Sequence, residues 1–191
     1  MKFTQIPENT FKEMQLNAGV LMKTFNPSSA TVSGIMAATT GGIKFEAKPT
    51  YKDMGENVDN CPKNTKELKK LDTWEVKLTG TMATINALNV KNLLGAADAL
   101  SEKITPRGDL KDEDFSDIWW VGDYSDKNGS QNGGFCAIHM MSVLSTGGFS
   151  LQTADKDNGQ FPFEYMAHYS VADQDKVPFE VYVKAGTPEA A

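Results

Sequence analysis

From Leu71 to Ile85 the chain reads LDTWEVKLTGTMATI. Trp74, Val76, Leu78 and Met82 share one parity, while Thr73, Glu75, Lys77, Thr79, Thr81 and Ala83 share the other. A period of two predicts a strand with one apolar and one polar face. At ~3.3 Å per residue this stretch would span about 50 Å, whereas ordinary strands run about five or six residues. The pattern therefore predicts a strand that projects from its own domain or pairs with another chain. Gly42–Asp53 answers it, with Ile43, Phe45, Ala47, Pro49 and Tyr51 on one face and Lys44, Glu46, Lys48, Thr50 and Lys52 on the other. Pro49 has no donor, which places an edge, a bulge or an end near it. Between the two strands runs a long polar loop, about 53–70. Loops of that length are uncommon in a compact domain and usually carry a function. The whole predicts a protruding β-hairpin.

Elsewhere the pattern predicts more strands and one helix. Residues 1–13 are polar and contain Pro7, an arm or irregular lead-in. Met14–Thr24 alternates and predicts a first strand. Asn26-Pro27-Ser28-Ser29 is turn chemistry, and Ala30–Thr40 is ambiguous. Over Asn86–Leu100 the period changes to three or four: Val90, Leu93, Leu94 and Ala97 form an apolar stripe that predicts a helix packed on the sheet. Thr84 or Asn86 is placed to cap it, and Gly95 weakens a straight run. Ile104–Phe115 reads as an acidic loop. Asp117–Tyr124 carries Trp119 and Trp120 on opposite faces, a strand covered on both sides. Two Asn-Gly pairs, at 128–129 and 132–133, predict a hairpin turn into Phe135–Leu144. Gln160–Val171 and Val177–Lys184 complete the strands, the latter with Val177, Phe179, Val181 and Val183 inward, and 185–191 reads as a frayed tail. The sum is one domain over 1–191, mainly β: an antiparallel sandwich or barrel with one flanking α-helix and a long projecting hairpin loop.

Composition narrows the function. With 25 acidic and 19 basic residues the net charge is -6, and Arg107 is the only arginine. That balance argues against holding nucleic acid by neutralising phosphates. Cys61 and Cys136, the only cysteines, are expected to be free thiols in a reducing compartment. MKFTQIPENT leads into no sustained apolar run, so no signal peptide is expected, and no membrane span or membrane partner either. The two histidines give no catalytic pattern: His139 is three residues from Cys136, hence on the opposite face of a regular strand, and His168 falls on a polar parity. The acidic run Asp109, Asp112, Glu113, Asp114 and Asp117, like Asp53, Glu56 and Asp59, lacks the spacing of a helical calcium loop and is expected to be solvated. No glycine pair has a phosphate-cradling context. No active site, metal or cofactor is expected. Long strands with exposed edges are an aggregation hazard unless another subunit covers or closes them, which argues for assembly.

Several segments carry a family resemblance. They are Thr39–Thr81 (TTGGIKFEAKPTYKDMGENVDNCPKNTKELKKLDTWEVKLTGT), LLGAADAL followed by KITPRGDL, FSDIWWVGDYSDKNG, GGFSLQTADKDNGQFPFEYMAHYS and VPFEVYVKAG. Together they resemble the major tail tube protein of long-tailed, non-contractile bacteriophages, over roughly 10–186. The likeness lies in overall text and order, with no short diagnostic motif. It implies a β-sandwich or barrel with a flanking helix. It also implies six-membered rings whose inner sheets close into one barrel around a lumen, stacked through the long loop and terminal arms. The implied partners are further copies of the chain, the tape measure protein, a tail terminator, a distal tail or baseplate protein, and double-stranded DNA in passage. The implied location is the virion tail, assembled in the host cytoplasm. On this reading Glu56, Asp59, Lys63 and Lys66 make inter-ring contacts, since ordering such a loop costs entropy that a contact should offset. If the paired strands line the lumen, Lys44, Glu46, Lys48, Lys52, Glu75 and Lys77 face it. The wall is then expected to be electronegative and to hold DNA weakly, with pairs such as Lys44 or Lys48 against Glu75 neutralising the lysines. Two other classes stay open: another ring component (terminator, baseplate or secretion tube), and a carbohydrate-binding β-sandwich.

Overall fold

The computed structural model describes residues 6, 7, 10, 13–124 and 134–186. The expected Asn-Gly turns at 128–129 and 132–133 fall outside them, as do most of the arm 1–13 and the tail from 187. The described strands are β1 (Gln15–Asn26), β2 (Thr31–Ile35), β3 (Thr39–Asp53), β4 (Lys69–Met82), β5 (Ala97–Leu100), β6 (Lys103–Pro106), β7 (Ser116–Tyr124), β8 (Gly134–Ser145), β9 (Phe161–Ala167) and β10 (Phe179–Lys184). One helix, α1 (Ala87–Leu94), follows β4.

Eight strands form one antiparallel sheet in the order β2-β1-β7-β8-β9-β4-β3, with β10 also on β8, and β5-β6 make a separate hairpin. Among the described residues neither sheet closes into a barrel. Strand β8 is the pivot. Its first part, Phe135–Met140, pairs with β10, and its last three residues, Val143–Ser145, pair with β9. The sheet is thereby divided into two halves that share β8. Apolar residues on both parities of β8 suit this role, because a strand with cover on both faces needs them. Leu21, Ile118, Ile138 and Met140 from one half meet Val76, Leu78, Met82, Phe163 and Tyr165 from the other in the main core. A second core lies elsewhere on the first half, where Met22, Phe25, Trp119, Phe135 and Ala137 cluster. Trp119 is buried there and Trp120 packs against the main core, on the opposite faces the pattern predicts.

Several boundaries differ from the pattern. The helix does not reach Leu100. It ends at Leu94, and Gly95 adopts φ +71°, a left-handed conformation that a glycine enters at little cost. Ala97 is fully buried as expected, but it is the first residue of β5. The inward residues of α1 are Leu93 and Asn89, four apart, while Val90 and Leu94 are half-buried. Asn89 is tolerated inside because its side-chain amide donates to the Met36 carbonyl at 2.8 Å. Asn86 is the cap, accepting from the Asn89 N–H at 2.9 Å, and Thr84 instead accepts from the Ala38 N–H. The ambiguous stretch holds β2, and the expected acidic loop begins with β6. Strand β9 stops at Ala167, leaving Tyr169 and Val171 exposed. Val181 and Val183, expected inward, are exposed on the edge strand β10.

Candidate assembly surface

The β3–β4 hairpin is the longest ladder in the fold, running from Thr39↔Met82 to Asp53↔Lys69. Its two halves have different neighbours. Strand β9 pairs with β4 only over Lys77–Met82. Over that inner half, Ile43, Phe45 and Ala47 pack on the core beside the buried Val76 and Leu78. Beyond Lys48 and Glu75 no further strand is attached among the described residues, and residues 69–73 are all exposed. A bulge at Asp72 shifts the register, so that Thr50↔Thr73 is followed by Tyr51↔Leu71. It turns Leu71 onto the face of Tyr51, against the strict alternation of β4. Tyr51 is 57 % and Leu71 50 % exposed, a pair at least half open to solvent, with Lys69 over the Tyr51 ring.

The boundary between the halves is clamped. The Trp74 N–H, which has no β9 partner, donates to the Tyr169 hydroxyl at 2.9 Å. Phe179 of β10 sets its ring against Phe45 and Trp74, with centroids 5.8 and 5.5 Å away. At the far end, the loop is folded rather than structureless. Asp53 accepts from the Gly55 N–H at 2.9 Å and from the Asn64 N–H at 2.8 Å. Those amides hold its carboxyl below the ordinary range, Asn64 contributing most. Met54 and Leu68 join through a backbone bond, and a 3₁₀ turn at Lys66–Leu68 leads into β4. Gly55 is buried against Leu68 and Cys61, where an added Cβ would come within 3 Å of each. On the outside of this compact tip, Glu56, Asp59, Lys63 and Lys66 are all exposed, as are Met54 and Val58.

The polar face of the inner half is a charge checkerboard. Lys48 stands opposite Glu75 and Glu46 opposite Lys77. Along β3 the Glu46 carboxylate holds Lys44 at 2.9 Å and Lys48 at 3.3 Å, and Lys77 holds Glu75 at 2.5 Å on β4. Lysine contacts keep Glu46 and Glu75 below the usual carboxylate range, and Glu75 raises Lys77. Both neutralising partners expected for Glu75 were lysines of β3; Lys48 takes that place in the register, while Lys44 is opposite Thr79 and pairs with Glu46. Lys52 stands apart, opposite Lys70 in the outer half.

At the other end of the hairpin, α1 and β5–β6 make a block organised by the single arginine. Arg107 sits 3.1 Å from Asp98, 3.9 Å from Asp109 and 2.5 Å from Asp114, whose side chain is fully buried. Burial pushes the Asp114 carboxyl up, but the Lys111 amide and the Arg107 guanidinium outweigh it and hold it low. The acidic run is thus not wholly solvated. The signal in the sequence is one arginine set among five carboxylates.

Both histidines border one hollow of about 300 Å³, with Asp117, Ser142, Asp173 and Lys176 among its walls. The His139 ring stacks on Trp119 at 4.0 Å, with Nε2 3.0 Å from Asp117 and Nδ1 3.7 Å from Glu180. His168 Nδ1 is 3.2 Å from the Ser142 carbonyl. Sequence spacing does not reveal this convergence, because β7, β8, β10 and the stretch after β9 each contribute. Cys136 is not part of it, and both cysteines are free. Among the described residues no three His, Cys, Asp or Glu side chains are grouped to hold a metal, and no helix is long and apolar enough to cross a membrane. Comparison with protein-family models and with curated proteins returns no match.

Proposed function

We propose that this chain is a structural subunit that assembles into stacked rings, in the manner of the tail tube proteins its sequence resembles. The observation that carries the reading is the outer half of the β3–β4 hairpin. It is completed at its tip, clamped at its base, and bare on an apolar pair that a solitary domain has no reason to extend into water. In the main sheet the strands β2, β3 and β10 also have an open edge among the described residues. Rings of six copies would let the two sheet halves join across subunits into a closed wall. The checkerboard face of β3–β4 would then be a lumen surface whose lysines are answered by carboxylates, suited to passing a polyanion without gripping it. That makes the wall near neutral over these residues rather than strongly acidic. The tape measure protein would occupy the lumen during assembly and DNA would cross it later. A terminator and a distal tail or baseplate protein would cap the two ends.

A carbohydrate-binding module would set an aromatic platform on an open face; here Trp119 is buried, and Trp74 and Trp120 are half-buried in packing contacts. The test is electron microscopy and sedimentation of concentrated protein, which should show hollow rings or tubes of uniform width. Deleting Glu56–Lys66 should leave a folded monomer and stop elongation. A chain that stays monomeric at every concentration and salt, in material purified from particles included, overturns the proposal.

A further inference from the structure

The bare stem of the arm and the Arg107 block are complementary surfaces at opposite ends of one molecule. Helix α1 starts five residues after β4 ends, and β5–β6 packs on it, so this block sits at the inner end of the hairpin. The 3₁₀ turn Asp112–Asp114 belongs to the same block, because Glu113 and Asp114 share a hollow with Leu88, Lys91 and Asn92 of α1. The stem is at the outer end, where β3 reaches Asp53, about 45 Å away along the strand.

The stem is basic on its polar face. Lys52 and Lys70 are opposite one another in the register. Like charges directly opposed destabilise a strand pair unless something neutralises them. Asp53, the nearest acid on β3, is turned into the loop. Beside this pair are the exposed Tyr51 and Leu71, with Lys69 over the Tyr51 ring at 5.2 Å. The block is the converse. Residues 97–117 carry seven acids against three bases, and Arg107 points inward with a side chain only 10 % exposed. Asp109 and Glu113 extend into solvent, and the exposed leucines Leu88, Leu100 and Leu110 accompany them.

We propose that the arm's stem docks on the α1/β5–β6 block of a second copy, Lys52 and Lys70 against Asp109 and Glu113, with the apolar stem pair on the exposed leucines. The inference deepens the stacking reading and rests on it. A stem-to-stem contact would bring the same lysines together, and a block-to-block contact the same acids. The contact is stem-to-block, and in a stack, where each copy's stem seats on the next copy's block, it is heterologous and closes or extends according to the rotation it imposes. The exposed charges set partner and register, since a wrong pairing is strongly repulsive, while the apolar residues contribute most of the affinity.

Two experiments test it. Carbodiimide coupling in a mixture of heavy- and light-isotope chains should give cross-links from Lys52 or Lys70 to Asp109 or Glu113 between differently labelled copies. Charge reversal should do the rest. Either K52E/K70E or D109K/E113K alone should raise the critical concentration for assembly at least about tenfold, and mixing the two variants in one tube should restore polymers in which they alternate, because each acidic stem then meets a basic block and each basic stem an acidic one. Combining all four changes in one chain should restore assembly to within about threefold of the wild type. Unchanged circular dichroism and melting in each variant separates lost docking from lost fold. If wild-type rings or tubes form but either reversal leaves the critical concentration within about twofold, the docking is refuted and the stacking reading stands. A wild-type chain that never assembles refutes both.

Discussion

One alternating rhythm in β3 runs through the inner and outer halves of the β3–β4 hairpin, and the two halves have opposite fates. Inside, Val76 and Leu78 are sealed by β9, Phe45 and the opposing half of the sheet. Outside, Tyr51 continues the alternation of β3, the bulge at Asp72 brings Leu71 to its side, and both stay at least half exposed, with Lys69 over the Tyr51 ring. An alternating strand specifies which face wants cover, not whether its own chain supplies it. On the stacking reading proposed above, the cover missing past the last covering strand comes from another copy.

Truncating one leucine in each half should separate them most clearly. Leu78→Ala removes a fully buried side chain and should cost the monomer about 2–5 kcal/mol in chemical denaturation. Leu71→Ala should change monomer stability by no more than about 0.5 kcal/mol, as is usual for a surface position. Its effect should instead appear in assembly. Equal losses in the two monomers would show that the outer half is covered within the chain after all. The helix gives the same contrast on a smaller scale: Leu93→Ala should approach the cost of Leu78→Ala, and the half-buried Leu94→Ala should fall short of it.

Much of this contrast was legible in the text. The alternation of Trp74 to Met82, the edge at Pro49, the two faces of Trp119 and Trp120 and the cap-competent Asn86 all follow from local chemistry. What was hidden depended on tertiary partners. The bulge at Asp72 is a matter of hydrogen-bond register, and it moved Leu71 to the face that strict alternation denies it. Ala97 kept the helical spacing by coincidence, because β5 buries it too. Asn89 reads as a surface residue until the Met36 carbonyl is placed beside it. The order of the loop 54–68 comes from the Asp53 carboxylate, short backbone turns and a buried Gly55 rather than from any apolar period, so alternation gives no sign of it.

A second test works at the border between the halves. The Trp74 N–H lies beyond the part of β4 that β9 covers, and the Tyr169 hydroxyl takes it. Tyr169→Phe keeps the ring and removes the acceptor. A net loss of about 0.5–1.5 kcal/mol is expected, the range for one intramolecular hydrogen bond. Hydrogen exchange should quicken at Trp74 and outward from it, while Val76 and Leu78 stay protected. If protection falls throughout β4, the clamp supports the inner half as well and the border is misplaced.

The smallest global effect, and the most local one, is expected at the tip. Asp53 accepts from two amides with two different oxygens. Asp53→Asn leaves one acceptor and puts an NH₂ where the other stood, so one of the Gly55 and Asn64 amides faces a donor. Acid should act in the same direction. The Asp53 carboxyl is held below the ordinary range by those amides. A depressed carboxyl contributes order that is complete above the unfolded aspartate value, about 3.9, and that fades as pH falls through the lower folded value. Because the tip touches no core, the melting of the whole domain should move little, within about 0.5 kcal/mol. The readout is exchange at Gly55, Val58 and Asn64, which should rise in Asp53→Asn at neutral pH and in the wild type only in acid. Exchange that is equal in the two proteins at neutral pH would mean the tip is ordered by something other than this carboxylate. The stem would then have to be regarded as stiff for a different reason.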